Sequence, residues 1–255
     1  MFLVNTKVKM FDYEIYEENL KSEVLGRSFK FLNKTQSTND EAKKYAAASH
    51  GHTILTYNQT KGRGRRNNKW FSTPNKSLTF TIILEKKKIS NQNILSLLTS
   101  VVIVNTLKKN LNVNCNIKWP NDIILNNKKI GGILIESNAN FQIIGIGLNV
   151  NQAKDDLNRE ISKIGSSLYY ETKTKINLEK LLAQIISEFE IVIKEKKKNI
   201  LKQWLDNCDH IHHKVKFNTN NEIITGIFEG INQEGEAIIN INGKISTFSS
   251  GIVNT

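Results

Sequence analysis

The chain has 255 residues, 39% of them hydrophobic and 8% aromatic, enough to bury the core of one large domain and a small companion. Its two cysteines, Cys115 and Cys208, have no CxxC spacing, which excludes a cysteine-rich zinc site and points to a reducing, cytoplasmic compartment. The net charge of +12 invites a nucleic-acid partner, but the lysines are spread along the chain among asparagines and isoleucines and read as a compositional bias. No apolar run reads as a membrane span, and the N-terminus does not read as a secretory signal, so no membrane partner is expected.

Residues 1–36 read as a short lead-in. Ser37-Thr38-Asn39-Asp40-Glu41 starts a helix, because Ser37 with Asp40, or Thr38 with Glu41, can form a capping box; helix is predicted through Ala42–Ala48. Thr53–Tyr57 and Ser77–Leu84 are predicted strands. Between them, Lys61 to Arg66 places four cations in six residues, alternating at first with glycine. No apolar residue lies between Tyr57 and Trp70, so this segment has nothing to bury and is expected to be a mobile loop. Guanidinium forks and glycine-freed backbone N–H groups both suit phosphate or carboxylate. It is not a Walker loop, since no Gly-Lys-Ser/Thr follows.

Ile94, Leu97, Leu98, Val101 and Val104 repeat at helical spacing. Residues 118–135 then read as a hairpin: Asp122–Leu125 is one strand, Asn126-Asn127 the turn, and Ile130–Ile135 a second strand opening on Gly131-Gly132. A lysine at the mouth of such a strand, Lys129, can reach an anion lying over the glycines. Phe141–Val150 is an apolar strand, and the apolar positions from Leu178 to Val192 define an amphipathic core helix. After about residue 213 the pattern changes to short alternating strands, with Asn242-Gly243 as a two-residue hairpin turn, so a small antiparallel β domain is predicted. His210, His212 and His213 stand at the junction without a second ligand cluster, and no protein-ligated metal is expected.

Together these segments resemble the biotin protein ligases. Ser37-Thr38-Asn39, Gln59 with Gly62-Arg63-Gly64-Arg65-Arg66, Lys69-Trp70-Phe71-Ser72, Lys118-Trp119-Pro120-Asn121-Asp122, Lys129-Ile130-Gly131-Gly132 and Gly145-Ile146-Gly147-Leu148-Asn149 are similar to that family's motifs, in order. Two departures are Asn67, where the loop commonly continues with glycine, and a C-terminus with no basic residue after Lys244. The resemblance implies an α+β fold of the class II aminoacyl-tRNA synthetase/biotin ligase type. This is a central mixed or antiparallel sheet with flanking helices over residues 1–212, and an SH3-like β-barrel over 213–255. Some relatives carry an N-terminal DNA-binding module; the short lead-in implies a form without it, and no specific nucleic-acid binding.

The activity implied is two-step: biotin and ATP give biotinyl-5′-AMP, then a lysine of a biotin carboxyl carrier domain, part of a biotin-dependent carboxylase, takes the biotin. Two anions must meet, so cations are required, with Mg²⁺ on the phosphates. By resemblance, Lys129, Arg65 and Asp122 carry the chemistry, with Asp122 orienting the incoming lysine. Ser37, Thr38, Asn39, Gln59, Gly62, Arg63, Lys129 and Gly132 bind biotin, and Arg63, Arg65, Arg66, Trp70, Asn121, Lys129 and Asn149 bind the nucleotide. A monomer or weak homodimer is expected. Three alternatives stay open: a lipoate ligase or lipoyl/octanoyl transferase of the same fold, a basic nucleic-acid-binding protein, and a non-catalytic binding protein.

Overall fold

The computed structural model describes residues 10–45, 50–89, 91–157, 161–219 and 222–254. From Met10 onward, the segment expected as a lead-in is structural. Asp12 caps helix α1 (Tyr13–Asn19) by accepting from the Ile15 N–H, and strand β1 (Phe29–Leu32) follows. Phe11 and Tyr16 pack on Phe29, with ring centroids 4.8 Å apart in both pairs. The sequence hid this because the aromatics, not a clean period, define it.

Ser37 starts helix α2 (Thr38–Tyr45), and its Oγ accepts the Asp40 N–H at 3.4 Å. The box is half made, because the Asp40 carboxylate is engaged by Arg63. Beyond Tyr45, the predicted helix through Ala48 lies outside the described residues. Strand β2 (Thr53–Thr56) leads into the basic segment. There β3 (Gly62–Arg63) pairs with β4 (Lys69–Trp70) around a 3₁₀ turn. The expected free loop is thus a short ladder, held by charge and not by apolar burial. The side chain of Asn67 lies outside the described set.

Strand β5 (Ser77–Glu85) is buried at every position but the last, as a central strand covered on both faces must be. Helix α3 (Gln92–Leu111) is capped by Asn91 at its start and by a left-handed Asn112 at its end. Contrary to the sequence reading, α3 does have the length and hydropathy of a membrane span; 72% of that window is buried inside the fold, against the sheet and two later helices. Then come β6 (Asn116–Lys118), β7 (Asp122–Leu125), β8 (Lys128–Ser137) and β9 (Phe141–Asn149). The β7–β8 turn is Asn126-Asn127, both at positive φ, which asparagine tolerates.

Short helices α4 (Ile161–Ile164) and α5 (Leu168–Thr172) precede α6 (Leu178–Val192) and α7 (Lys197–Asp206), which pack on α3. The seven-stranded sheet runs β1-β2-β5-β9-β8-β7-β6; β1 and β2 are parallel and the other pairs antiparallel, a mixed sheet as expected. The last five strands, β10 (Lys214–Asn218), β11 (Ile223–Ile231), β12 (Ala237–Ile241), β13 (Lys244–Phe248) and β14 (Ile252–Asn254), form a second, antiparallel sheet. Asn242-Gly243 makes the β12–β13 turn, both residues at positive φ. One face of the large sheet carries the main core under α1, α3 and α6; α2 covers part of the other through Ala42, Ile54, Ile83 and Ile143.

Candidate functional site

The α2 face of the large sheet is left open beside the helix, and strand register builds its floor. Asp122, Gly132, Gly147 and Thr79 stand in one cross-strand row over β7, β8, β9 and β5. The next row on the same face is Leu134, Gly145 and Thr81. Glycines two apart in a strand share a face, so Gly145 and Gly147 leave the floor bare. Other groups fill that space: a Cβ on Gly147 would lie 2.4 Å from the Trp70 indole, and one on Gly145 would lie 2.3 Å from Asn39 Oδ1. Any side chain here would displace one of these two residues.

The result is a cleft of about 530 Å³. Thr38 and Asn39 line it at the N-terminus of α2, Arg65 and Trp70 at the basic ladder, and Lys129 on β8. Its far wall is the C-terminal segment Gly251–Asn254. Gln59 Oε1 accepts the Thr38 N–H at 2.8 Å. Asn39 Nδ2 donates to Glu136 Oε2 at 2.8 Å, and the Thr81 hydroxyl lies 2.7 Å from Asn39 Oδ1. Two buried polar atoms of cleft-lining residues, Trp70 Nε1 and Thr79 Oγ1, have no hydrogen-bond partner among the described residues. Such atoms are costly to bury unless a ligand answers them.

The cations differ in their partners. Arg63 makes a forked pair with Asp40, both contacts at 2.6 Å, and stands 3.5 Å from Glu136. Lys129 Nζ is 2.6 Å from Asp122 Oδ1 and 6.0 Å from the centre of the Trp70 ring. Arg66, at a left-handed φ of 53°, turns away and donates to the carbonyls of Asn218 and Thr219 at the β10–β11 hairpin. The Arg65 guanidinium has no ion-pair or hydrogen-bond partner among the described residues. Burial, and then the charge of Arg66, lower its proton affinity; Asp122 alone opposes them. A cation so placed calls for an anion.

Of the residues singled out in the sequence, Ser37, Thr38, Asn39, Gln59, Arg63, Arg65, Arg66, Trp70, Asn121, Asp122, Lys129 and Gly132 all line the cleft. Gly62 and Asn149 do not. Gly62 is backbone spacing, since a Cβ there would meet Gln59 Nε2 at 2.6 Å. Asn149 is buried below the floor, where Nδ2 donates to the Ser166 carbonyl and Oδ1 accepts from Gln152. Sequence reasoning missed Asp40 and Glu136, whose partners are distant in the chain, and the wall from Gly251 to Asn254. It named Gly145 and Gly147 within a motif but gave them no place in the site, although their spacing of two in an apolar strand was a usable signal for a bare floor.

Among the described residues no three His, Cys, Asp or Glu side chains converge as metal ligands. His210 is buried against Phe228, and His212 Nδ1 lies 2.9 Å from Glu229. The cleft therefore offers no cage for a resident ion.

The family model for the biotin/lipoate A/B protein ligases matches residues 28–151, and that for the biotin protein ligase C-terminal domain matches residues 210–254. The bifunctional ligase/repressor BirA of Bacillus spizizenii is 34% identical over 179 residues, 67% of this chain and 55% of the relative. The human biotin–protein ligase is 29% identical over 201 residues, 72% of this chain and 28% of that one. The chain thus spans about half or less of the length of these two relatives. A solved structure of the biotin protein ligase from Aquifex aeolicus in complex with biotin and ATP superposes with a TM-score of 0.82 at 27% identity, covering 89% of this chain and 98% of that one.

Proposed function

The chain belongs to the biotin protein ligase family, and from that premise we propose that it activates biotin with ATP and transfers it to a lysine of a biotin carboxyl carrier domain. The observation that carries this reading is the cleft itself: a bare glycine floor, unanswered polar atoms on Trp70 and Thr79, and a half-buried Arg65 guanidinium without a partner among the described residues, beside Lys129. One end is polar and neutral, at Thr38, Asn39 and Gln59, and suits a ureido head. The other is cationic and suits a carboxylate meeting a phosphate.

In the first step a biotin carboxylate oxygen bonds to the α-phosphorus, and the bond to the β-phosphate oxygen breaks. Pyrophosphate leaves and biotinyl-5′-AMP remains. Lys129 and Arg65 offset the charge that gathers where the two anions meet. Arg63, held by Asp40, keeps the basic ladder at the cleft. Trp70 and Asn121 present an aromatic face and an amide to the nucleoside. Mg²⁺ would ride on the substrate phosphates and screen them, and no residue here is assigned to it.

In the second step the carrier amine attacks the acyl carbon and AMP leaves. Asp122 is the nearby carboxylate that orients this amine and accepts a proton once Lys129 turns to the ligand. Cys115 and Cys208 are both free thiols, which fits a cytoplasmic enzyme.

The deciding experiment is biotin-dependent exchange of labelled pyrophosphate into ATP, run in parallel with lipoate, followed by biotin transfer to a carrier domain. Exchange with biotin and not lipoate is expected. Exchange with lipoate alone would move the chain to the lipoate branch, and exchange with neither would exclude adenylate chemistry.

A further inference from the structure

Asn39 is buried, and each side of its amide is fixed by its neighbours. On one side stand the Leu134 carbonyl, a long contact at 3.4 Å, and Glu136, whose carboxylate is ionised and only accepts. Burial alone would favour its protonated form, but hydrogen bonds from Lys43 and Asn39, with the charges of Lys43 and Arg63, hold its carboxyl below the usual range. Glu136 therefore faces the NH₂ of Asn39, at 2.8 Å, and the amide oxygen must face Thr81.

That orientation propagates. The Thr81 hydroxyl has one proton and two neighbours, Asn39 Oδ1 at 2.7 Å and Thr38 Oγ1 at 2.8 Å. The amide oxygen can only accept, so the Thr81 proton goes there. Thr38 then gives its own proton to Thr81 at 2.8 Å, in preference to Gln59 Oε1 at 3.3 Å, and turns lone pairs to the cleft. Gln59 Oε1 takes the Thr38 N–H at 2.8 Å, which leaves the Gln59 NH₂ as the donor on that side. The pattern offered to a ligand is an acceptor at Thr38 beside a donor at Gln59. Without the carboxylate only the long 3.4 Å contact to the Leu134 carbonyl holds the amide, and it can flip; Thr81 then accepts from it and donates to Thr38, and Thr38 turns a proton toward Gln59 Oε1 and the cleft where a lone pair stood.

We propose that Glu136, acting through Asn39 and Thr81, is the positioning residue that fixes the donor–acceptor pattern Thr38 and Gln59 present to the ureido head of biotin. Neither Glu136 nor Thr81 lines the cleft, so both act through other residues. The inference rests on the biotin reading above. It goes further by deriving recognition of the head group from the polarity of a buried hydrogen-bond chain.

The test is titration calorimetry of biotin and ATP, each alone, on the wild-type chain and on Glu136→Leu, Glu136→Gln, Thr81→Val and the Leu/Val double variant. Gln still offers an acceptor to Asn39, and Val is close in shape to Thr. Biotin binding by Glu136→Leu and by Thr81→Val should each weaken roughly 10- to 100-fold, the range set by one mispaired buried group. ATP binding should stay within about threefold. Glu136→Gln should recover most of the biotin affinity, and the double variant should be little worse than either single one, because both break the same chain. Additive losses, equal loss of ATP binding, or biotin affinity unchanged in Thr81→Val would overturn the proposal while leaving the ligase reading intact. A wild-type chain that binds no biotin would instead sink the ligase reading. Should Glu136→Leu fail to fold, Thr81→Val and Glu136→Gln still decide the matter.

Discussion

Lys129 is where two opposed demands meet. Its ammonium pairs with Asp122 at 2.6 Å, and a third of its side chain is exposed, so it is held in place yet able to turn to a ligand. Lys129→Ala should therefore keep the fold and lower biotin-dependent pyrophosphate exchange by roughly 10²- to 10³-fold, the usual cost of removing one group that stabilises developing charge. Thermal melting alongside exchange separates the two effects. Near wild-type exchange would move the role to Lys118, which also lines the cleft; Lys128 is ill placed for it, because its Nζ donates to the Lys163 carbonyl. The ligand-facing residues were legible in the sequence because small polar, basic and glycine residues in a fixed order need few assumptions about the rest of the fold. Their supports were not. Asp40 reads as a capping residue, and Glu136 carries no signal in the sequence, until the fold brings Arg63 and Asn39 to them.

The basic ladder β3–β4 is the element on which retention of the adenylate should depend. Its base is tied by Arg63 to Asp40 and its turn by Arg66 to the β10–β11 hairpin, while Arg65 between them is unpaired. Arg65→Gly should leave both ties in place and speed loss of biotinyl-AMP, read as faster release in a pulse–chase and as labelling of bystander lysines. Unchanged release would show that the ladder is not the lid. The Arg63 tie also has a pH signature. Asp40 is held below its ordinary value of 3.8, first by the hydrogen bond from Arg63. A depressed carboxyl stabilises the folded state above its unfolded pKa, and that contribution is lost as pH falls through the folded value. The tie should thus be intact at neutral pH and fail only in strong acid. In an NMR titration the Asp40 midpoint should lie below 3.8 and climb toward it in Arg63→Ala; equal midpoints would refute the tie. At this scale the long periodic elements, α3 and α6, and the two-residue turns were readable in advance. Helix α1 and strand β1 were not, because the cross-chain aromatic packing that defines them leaves no period in the sequence.

Across the whole molecule, the two sheets share one core. Val215, Phe217, Phe228, Ile239 and Val253 belong to the same buried cluster as the interior of the large sheet, so a boundary drawn at residues 212 and 213 separates topologies and not cores. Trp119 is the joint. It leads into β7 and enters the sequence reading only as part of the Lys118–Asp122 motif. In the structure it is buried, its Nε1 donates to the Gly235 carbonyl at 3.1 Å, and its ring centroid lies 5.6 Å from that of Phe217. Phe217 in turn fills the space a Cβ on Gly251 would need, where the C-terminal wall of the cleft begins. The chain of contacts runs from the hairpin that carries Asp122, through the small sheet, and back to the cleft. Trp119→Ala should cost about 3–5 kcal/mol, the range for a large aromatic removed from a core, against a total stability on the order of 5–15 kcal/mol. The protein should still fold at room temperature. Denaturant unfolding should remain one transition with a lowered midpoint, and the KM for ATP should rise because the wall from Gly251 to Asn254 is no longer held. If the small sheet instead melted in a separate, earlier transition while the large sheet kept its wild-type midpoint, the two cores would be independent and Trp119 would not be the joint between them.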